Sequence, residues 1–313
     1  MVINLNSNIH NVVTIIQARM NSKRLPGKVL LEVEGKKMLE LMIERVRFSK
    51  YANKIVVATT KNILDDKIAS FCKINKIDCY RGSEIDVLDR IYKCATKFNA
   101  DHIVRLTADN PIQEPSVMDK IISEYSNNIN SIDYASNTIV PTWPDGFCVE
   151  IFSYKSLKYA WENSFIKSQR EHVTPFIKEK FKTLSVEQTD RNDGELYWTL
   201  DSKNDYKVIS LIIKNLKDKK PYFSYKDIMG YMNNNPSVKL INADSKRDEA
   251  YYYDLKKEQS SKKIININRS NLYWERALKH IPAGTQSLSK APSAWIEDIS
   301  PKYIQKGNGC FLE

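Results

Sequence analysis

Between residues 12 and 107, short β-branched runs alternate with longer segments of helical period, and this alternation restricts the possible folds more than any other feature. "NVVTIIQA", "KIVVATT", "IDCYRG" and "DHIVRLTADNP" read as strands. "KKMLELMIERVRFS", "LDDKIASFCKIN" and "EIDVLDRIYKCATKFN" read as the helices between them, with apolar residues recurring every three or four positions. Strands separated by helices run parallel, and runs that are apolar on both faces need cover on both sides. The expected fold class is therefore α/β, with a mostly parallel central sheet flanked by helices. Ligands of such sheets gather at the carboxyl ends of the strands. The loop at 17–28, the "RGSEID" turn and the "TADNP" turn should then share one edge.

After about residue 130 the pattern changes. "DYASNTIV" and "GFCVEIFS" read as strands of a small antiparallel excursion, and "YKSLKYAWEN" and "SQREHVTPFIKEKF" as helices. "LYWTLDS" reads as a strand running into the helix "NDYKVISLIIKNL", and "YKDIMGYMNNN" as a further helix. The expected organisation is one domain over 1–242, a polar linker without clear period over 243–266, and a short remainder over 267–313.

The loop "QARMNSKRLPGK" is the chemically distinctive stretch. No acidic residue occurs from Val12 to Leu31, yet the segment holds Arg19, Lys23, Arg24 and Lys28. Pro26 and Gly27 force a turn, which exposes backbone N–H groups among these cations. Guanidinium forks, an ammonium and free amides together suit a polyphosphate. The spacing is neither that of the ATPase loop G-x-x-x-x-G-K-[ST] nor that of a dinucleotide fingerprint. Asp109, in the turn that ends its strand, has the chemistry of a magnesium ligand or of a turn-capping side chain. Asp201 just precedes Ser202-x-x-Asp205, a capping box, and so is left to reach a metal.

The formal net charge of +10 is spread along the chain without a long basic run, so a solvated lysine surface explains it better than a nucleic-acid face. Five cysteines form no C-x-x-C pair and four histidines show no ligand spacing, which argues against zinc and for a reducing compartment. No apolar stretch approaches the ~20 residues that span a bilayer. A cytoplasmic protein is expected.

"IIQARMNSKRLPGKVL" closely resembles the opening motif of the sugar-acid cytidylyltransferase superfamily, and within it the branch called spore coat polysaccharide biosynthesis protein F. The resemblance continues through "GSEIDVLDR", "VRLTADNP", "DYASNT", "PDGFCVEIF", "REHVTP" and "WTLDSKNDY", over roughly residues 12–215. It implies a GT-A-like nucleotidyltransferase that uses Mg²⁺ and CTP, releases pyrophosphate and leaves CMP on a small acceptor. Carried onto this sequence, it implies Arg19, Arg24 and Lys28 at the triphosphate and Asp109 and Asp201 at the metal. Gln17, Ala18, Gly82, Ser83 and Asp86 then lie beside the nucleotide. Ser83 and Asp86 also have a structural reading, as a capping box opening the helix. The acceptor side would draw on Asp145, Glu150, Arg170, Glu171 and His172. Glu150 lies in an apolar strand, where an unpaired carboxylate is costly, and His172 is a candidate partner.

The final stretch "NLYWERALKHIPAGTQSLSKAPSAWIEDISPKYIQKGNGCFLE" resembles the first segment of class III aminotransferases of the glutamate-semialdehyde aminomutase type. That resemblance implies a longer bifunctional polypeptide whose pyridoxal phosphate site lies outside this chain; a C-terminal extension packing on a partner is the alternative. A homodimer is expected. Two other functions compete: a GT-A-type glycosyltransferase using a nucleotide sugar, and a non-catalytic nucleic-acid binder. The triphosphate-sized basic loop argues against the first, and the spread of charge against the second.

Overall fold

The computed structural model describes residues 9–262 together with 279, 307–308 and 311–312. They fall into two compact units that divide after Arg247. In the first, β1 (Val12–Gln17) enters the basic loop, which ends in a single 3₁₀ turn over Lys28–Leu30. A small antiparallel pair, β2 (Glu32–Val33) and β3 (Lys36–Lys37), precedes α1 (Met38–Val46). Then come β4 (Lys54–Thr60), α2 (Asp66–Ile74), β5 (Asp78–Gly82), α3 (Val87–Lys97), β6 (His102–Thr107) and α4 (Pro115–Asn127). The alternation read from the sequence is present element by element.

The second half adds β7 (Tyr134–Ser136), β8 (Glu150–Ser153), α5 (Tyr154–Asn163), α6 (Lys167–His172), α7 (Pro175–Lys180) and β9 (Thr183–Ser185). It closes with α8 (Lys203–Leu216), α9 (Tyr225–Asn234) and α10 (Pro236–Leu240). The seven-stranded sheet has the order β5-β4-β1-β6-β8-β7-β9. β5, β4, β1 and β6 are parallel neighbours, β8 runs against both β6 and β7, and β9 is parallel to β7. The antiparallel excursion expected from the sequence is the reversal at β8.

Alternating side chains of β1 feed two cores. Ile16 packs on one face with Met38, Met42, Ile121 and Ile212 from α1, α4 and α8. Val13 and Ile15 pack on the other with Leu88, Ile91, Leu157 and Ile177 from α3, α5 and α7. A strand enclosed on both faces favours apolar residues throughout, and Thr14 is the one polar side chain between Val12 and Ile16.

Three expectations need correction. "LYWTLDS" is not a strand: only an isolated bridge joins Tyr197 to Asp145, because the segment is stitched to loops rather than to the sheet. "SQREHVTPFIKEKF" is two helices, broken where Val173 takes φ +70° ahead of Thr174-Pro175. Pro175 then opens the second helix at its first position, where the N–H it lacks would have had no partner in the helix. The stretch read as an irregular linker holds a helix in the second unit, α11 (Glu249–Lys262). Its tyrosines and charges lack a 3.6-residue repeat, so nothing in the pattern announced it. The aminotransferase-like stretch lies outside the described residues except for Lys279 and a short antiparallel pair, β10 (Gly307–Asn308) with β11 (Phe311–Leu312).

Candidate active site

The basic loop is closed on one carbonyl. Met20 O accepts from both Ser22 N, at 2.9 Å, and Gly27 N, at 2.8 Å. Met20 N donates to Oδ1 of the buried Asp65 at 2.7 Å, and the other Asp65 oxygen accepts from Thr60 at the end of β4. Gly27 sits at φ +74°, a conformation glycine adopts without strain. The chain turns there so that Lys28 points inward and is buried, while Lys23 and Arg24 stay exposed.

Two other segments converge on Lys28. β6 ends in the turn at Asp109, where Asp109 O accepts from Leu200 N at 2.7 Å. Thr199 Oγ1 donates to Asn110 Oδ1 and to Asp145 Oδ1, both at 3.0 Å. Ser202 caps α8 in the expected box, and Oδ2 of buried Asp205 also accepts from Asp201 N at 3.2 Å. These links carry Asp201 to Asp109 across 92 positions of sequence.

The outcome is a compact charge cluster. Lys28 Nζ donates to Asp109 Oδ2 at 2.7 Å and to Asp201 Oδ1 at 2.8 Å. Arg24 reaches Asp201 Oδ2 at 2.9 Å, and Tyr197 donates its hydroxyl to the same oxygen. Asp109 Oδ1 is buried and has no hydrogen-bond partner. Burial alone would lower the Lys28 ammonium, but Asp109 and Asp201 raise it above its usual range, so it is charged at neutral pH. Burial pushes Asp201 upward, yet Lys28, Tyr197 and Arg24 hold it below the usual carboxylate range. No group of three or more His, Cys, Asp or Glu capable of holding a metal occurs among the described residues.

Beside this cluster lies a second polar centre. Arg105 and Glu150 stand opposite each other in register on β6 and β8 and form an ion pair. Arg105 also donates to Gln17 Oε1 at 2.9 and 3.1 Å. Glu150 Oε1 accepts from Tyr134 and Thr174, each at 2.6 Å, with Lys178 at 3.6 Å. Burial works to raise the Glu150 carboxyl, but Arg105, Lys178, Thr174 and Tyr134 hold it down at about 2.

Residues 13–275 match the family described as cytidylyltransferase. The chain belongs to the cytidylyltransferase family. It is 36% identical over 237 residues to an uncharacterised protein of Methanocaldococcus jannaschii, covering 74% of this chain and 94% of that one. It is 30% identical over 239 residues to the spore coat polysaccharide biosynthesis protein SpsF of Bacillus subtilis, covering 74% and 97%. A solved cytidylyltransferase from Leptospira borgpetersenii superposes with a TM-score of 0.69 at 33% identity, covering 73% of this chain and 96% of that one. The protein is thus a nucleotidyltransferase, and the α/β architecture agrees with that class.

In this cytidylyltransferase, Arg24, Lys28, Asp109 and Asp201 are brought together, with Asp145 in the scaffold beneath them. Lys28, expected at the phosphates, is held instead by the two carboxylates. Arg19 pairs with Glu171 at 3.4 Å, 39% and 26% exposed, so two residues assigned to opposite substrates meet directly. Asp86, not Ser83, is the N-cap of α3: its Oδ1 accepts from Asp89 N, while Ser83 Oγ accepts from Asp86 N. The carboxylate of Asp86 also binds Arg170 at 2.6 Å, and Arg170 spans to the carbonyls of Trp161 and Ser164. These two residues tie α6 to α3. Ala18 is buried and continues the β1 ladder through Ala58 O.

Gly82 is bare for the sake of Arg90, whose stem crosses it; a Cβ there would meet Arg90 Cγ at 2.8 Å. Thr174, set by the bend at Val173, is one of the groups that meet Glu150. Arg90, Arg105 and Tyr197 were not singled out from the sequence. Arg90 is buried beside Arg19, and burial followed by that neighbouring charge lowers it to about 10. Arg105 carried a legible signal, since a charge within the apolar strand "HIVRLT" demands a partner as much as Glu150 does.

Proposed function

We propose that this cytidylyltransferase transfers CMP from CTP to a small anionic acceptor in a magnesium-dependent reaction. The acceptor would be a sugar acid or a small phosphate or phosphonate, destined for a surface glycan or lipid. The observation that carries the proposal is the meeting of Lys28, Arg24, Asp109 and Asp201 at the carboxyl ends of β1 and β6. The residues present fit magnesium. Mg²⁺ is commonly held by one or two carboxylates, with waters and substrate phosphates completing its shell. Asp109 and Asp201 supply those two carboxylates, and the unpartnered Asp109 Oδ1 is an available oxygen. When bound, the ion would neutralise charge on the reacting phosphate.

The chain's own groups account for the rest. An acceptor oxygen attacks the α-phosphorus of CTP, the bond to the bridging oxygen breaks, and its electron pair leaves with pyrophosphate. Arg24 and Arg19, both partly exposed on the loop, would take up charge on that leaving group. The loop amides around Met20 and Gly27 keep it compact, so little reorganisation accompanies nucleotide binding. The name of the Bacillus relative supports a role in polysaccharide synthesis, and the aminotransferase-like stretch at 271–313 supports a linked amination step.

The test is a screen of the four nucleoside triphosphates with Mg²⁺ against sugar acids, phosphoethanolamine-like compounds and phosphonates, scored by pyrophosphate release. CTP with one acceptor class should be turned over. Release from another nucleotide instead, or consumption of a nucleotide sugar without pyrophosphate, refutes the reading.

A further inference from the structure

Lys28 is at 8% exposure and contacts two carboxylates at salt-bridge distance, with Asp109 and Asp201 at 24% and 20% side-chain exposure. Two partly buried carboxylates so close repel each other unless a positive charge lies between them. Arg24 meets Asp201 at Oδ2, the oxygen that Lys28 does not hold, and is 45% exposed, so the buried ammonium is the charge shared by both acids. The Lys28 ammonium therefore occupies the position in which a bound cation would do the same work. Its backbone is fixed independently: Lys28 N donates to Leu25 O and Lys28 O accepts from Leu31 N, each at 3.2 Å. The side chain is a flexible four-carbon stem ending in a compact charge, so the head can leave while the turn stays in place.

We infer that Lys28 is an internal stand-in cation: with no divalent ion bound, its ammonium holds Asp109 and Asp201 together, and it yields them when the ion arrives. The exchange leaves a positive charge between the carboxylates at every stage, single with the ammonium and double with the ion, so the pair remains assembled throughout. The displaced ammonium, still tethered beside the loop, becomes available to the triphosphate. A nucleotide-bound ion displaces it most readily, because the same event gives the ammonium a new anionic partner. The free ion alone gains only the carboxylates and competes poorly with a tethered charge. This inference rests on the magnesium-dependent reading given above.

The test is thermal unfolding of the full chain, stripped of metal with chelator and then titrated with MgCl₂ alone. Wild type should shift little. Lys28→Met, of similar volume but uncharged, should unfold about 5 °C lower without metal. It should recover on adding Mg²⁺, with a midpoint roughly tenfold lower in concentration than any wild-type response. The double variant Lys28→Met/Asp201→Asn removes the repulsion, and should regain stability without metal and lose the response.

Equal Mg²⁺ shifts in wild type and Lys28→Met would overturn the inference. So would a double variant no more stable than the single one, or one that fails to fold, since Lys28 would then matter for packing alone. Should Lys28→Met be unfolded and the double variant folded, the repulsion argument stands. Pyrophosphate release by wild type is read separately. An active enzyme with no Lys28→Met response sinks only this inference, whereas an inactive one with the response intact sinks the functional reading.

Discussion

Two carboxylate centres lie side by side at β1 and β6, and they differ in completeness. Around Glu150, Arg105, Tyr134, Thr174 and Lys178 meet one carboxylate, and Arg105 is further held by Gln17. Around Asp109 and Asp201, one ammonium is shared between two acids, Arg24 and Tyr197 meet the second Asp201 oxygen, and a buried Asp109 oxygen is left over. A network that is satisfied throughout specifies structure, while one with an unused buried acceptor is prepared for something else. The Glu150 centre fastens β6 to β8 and α7, and under the proposed function the Asp109–Asp201 centre would do the chemistry.

That contrast is most sharply tested at Asp109. Asp109→Asn should reduce pyrophosphate release about a thousandfold while the circular dichroism spectrum and unfolding temperature stay near wild type. Retained turnover would remove the residue from the mechanism. Glu150→Ala should do the reverse. Leaving Arg105 buried without its partner should cost about 3 kcal/mol in urea unfolding, with any loss of activity following loss of fold.

The acid arm sharpens the same comparison. The Glu150 carboxyl is held down at about 2 against an ordinary 4.5, so its contribution is complete above pH 4.5 and is lost as pH falls towards 2. Glu150→Gln should therefore flatten the stability profile in that window and leave it parallel to wild type above. A smaller effect is expected at the rim. Arg24→Ala should raise the KM for CTP about tenfold with kcat little changed, if it acts mainly by binding. Smallest is Ser202→Ala, which removes the cap of α8 and should cost about 1 kcal/mol in the same urea experiment.

The sheet and the convergence of the basic loop with the "TADNP" turn were legible because both follow from local periodicity and from a general rule about strand ends. The capping box at Ser202 and Asp205 was legible for the same reason, as a fixed spacing. What could not be read was the pairing itself. Lys28 and Asp201 are 173 positions apart, and nothing near either specifies that the ammonium meets that acid rather than a phosphate. "LYWTLDS" misled because its β-forming residues serve a loop held by Asp109 O and Asn110. Arg105 was overlooked although the cross-strand logic applied to Glu150 applies equally to it. Gly82 has a reason that its own neighbourhood in the sequence does not announce, the stem of Arg90 eight positions on.

One bond pattern reaches beyond the Lys28–Asp109–Asp201 cluster. Asp205 gives one oxygen to the backbone of Asp201 and Ser202, and the other accepts from Asn242 and Ser245, each at 2.9 Å. Arg247 in turn donates to Trp143 O at 2.9 Å. Any shortened version of this transferase, or any graft of it onto another protein, should therefore keep the chain through Arg247. A cut at 240 would leave every helix of the first unit whole and yet untie the clasp on Asp205 that holds the Asp201 backbone.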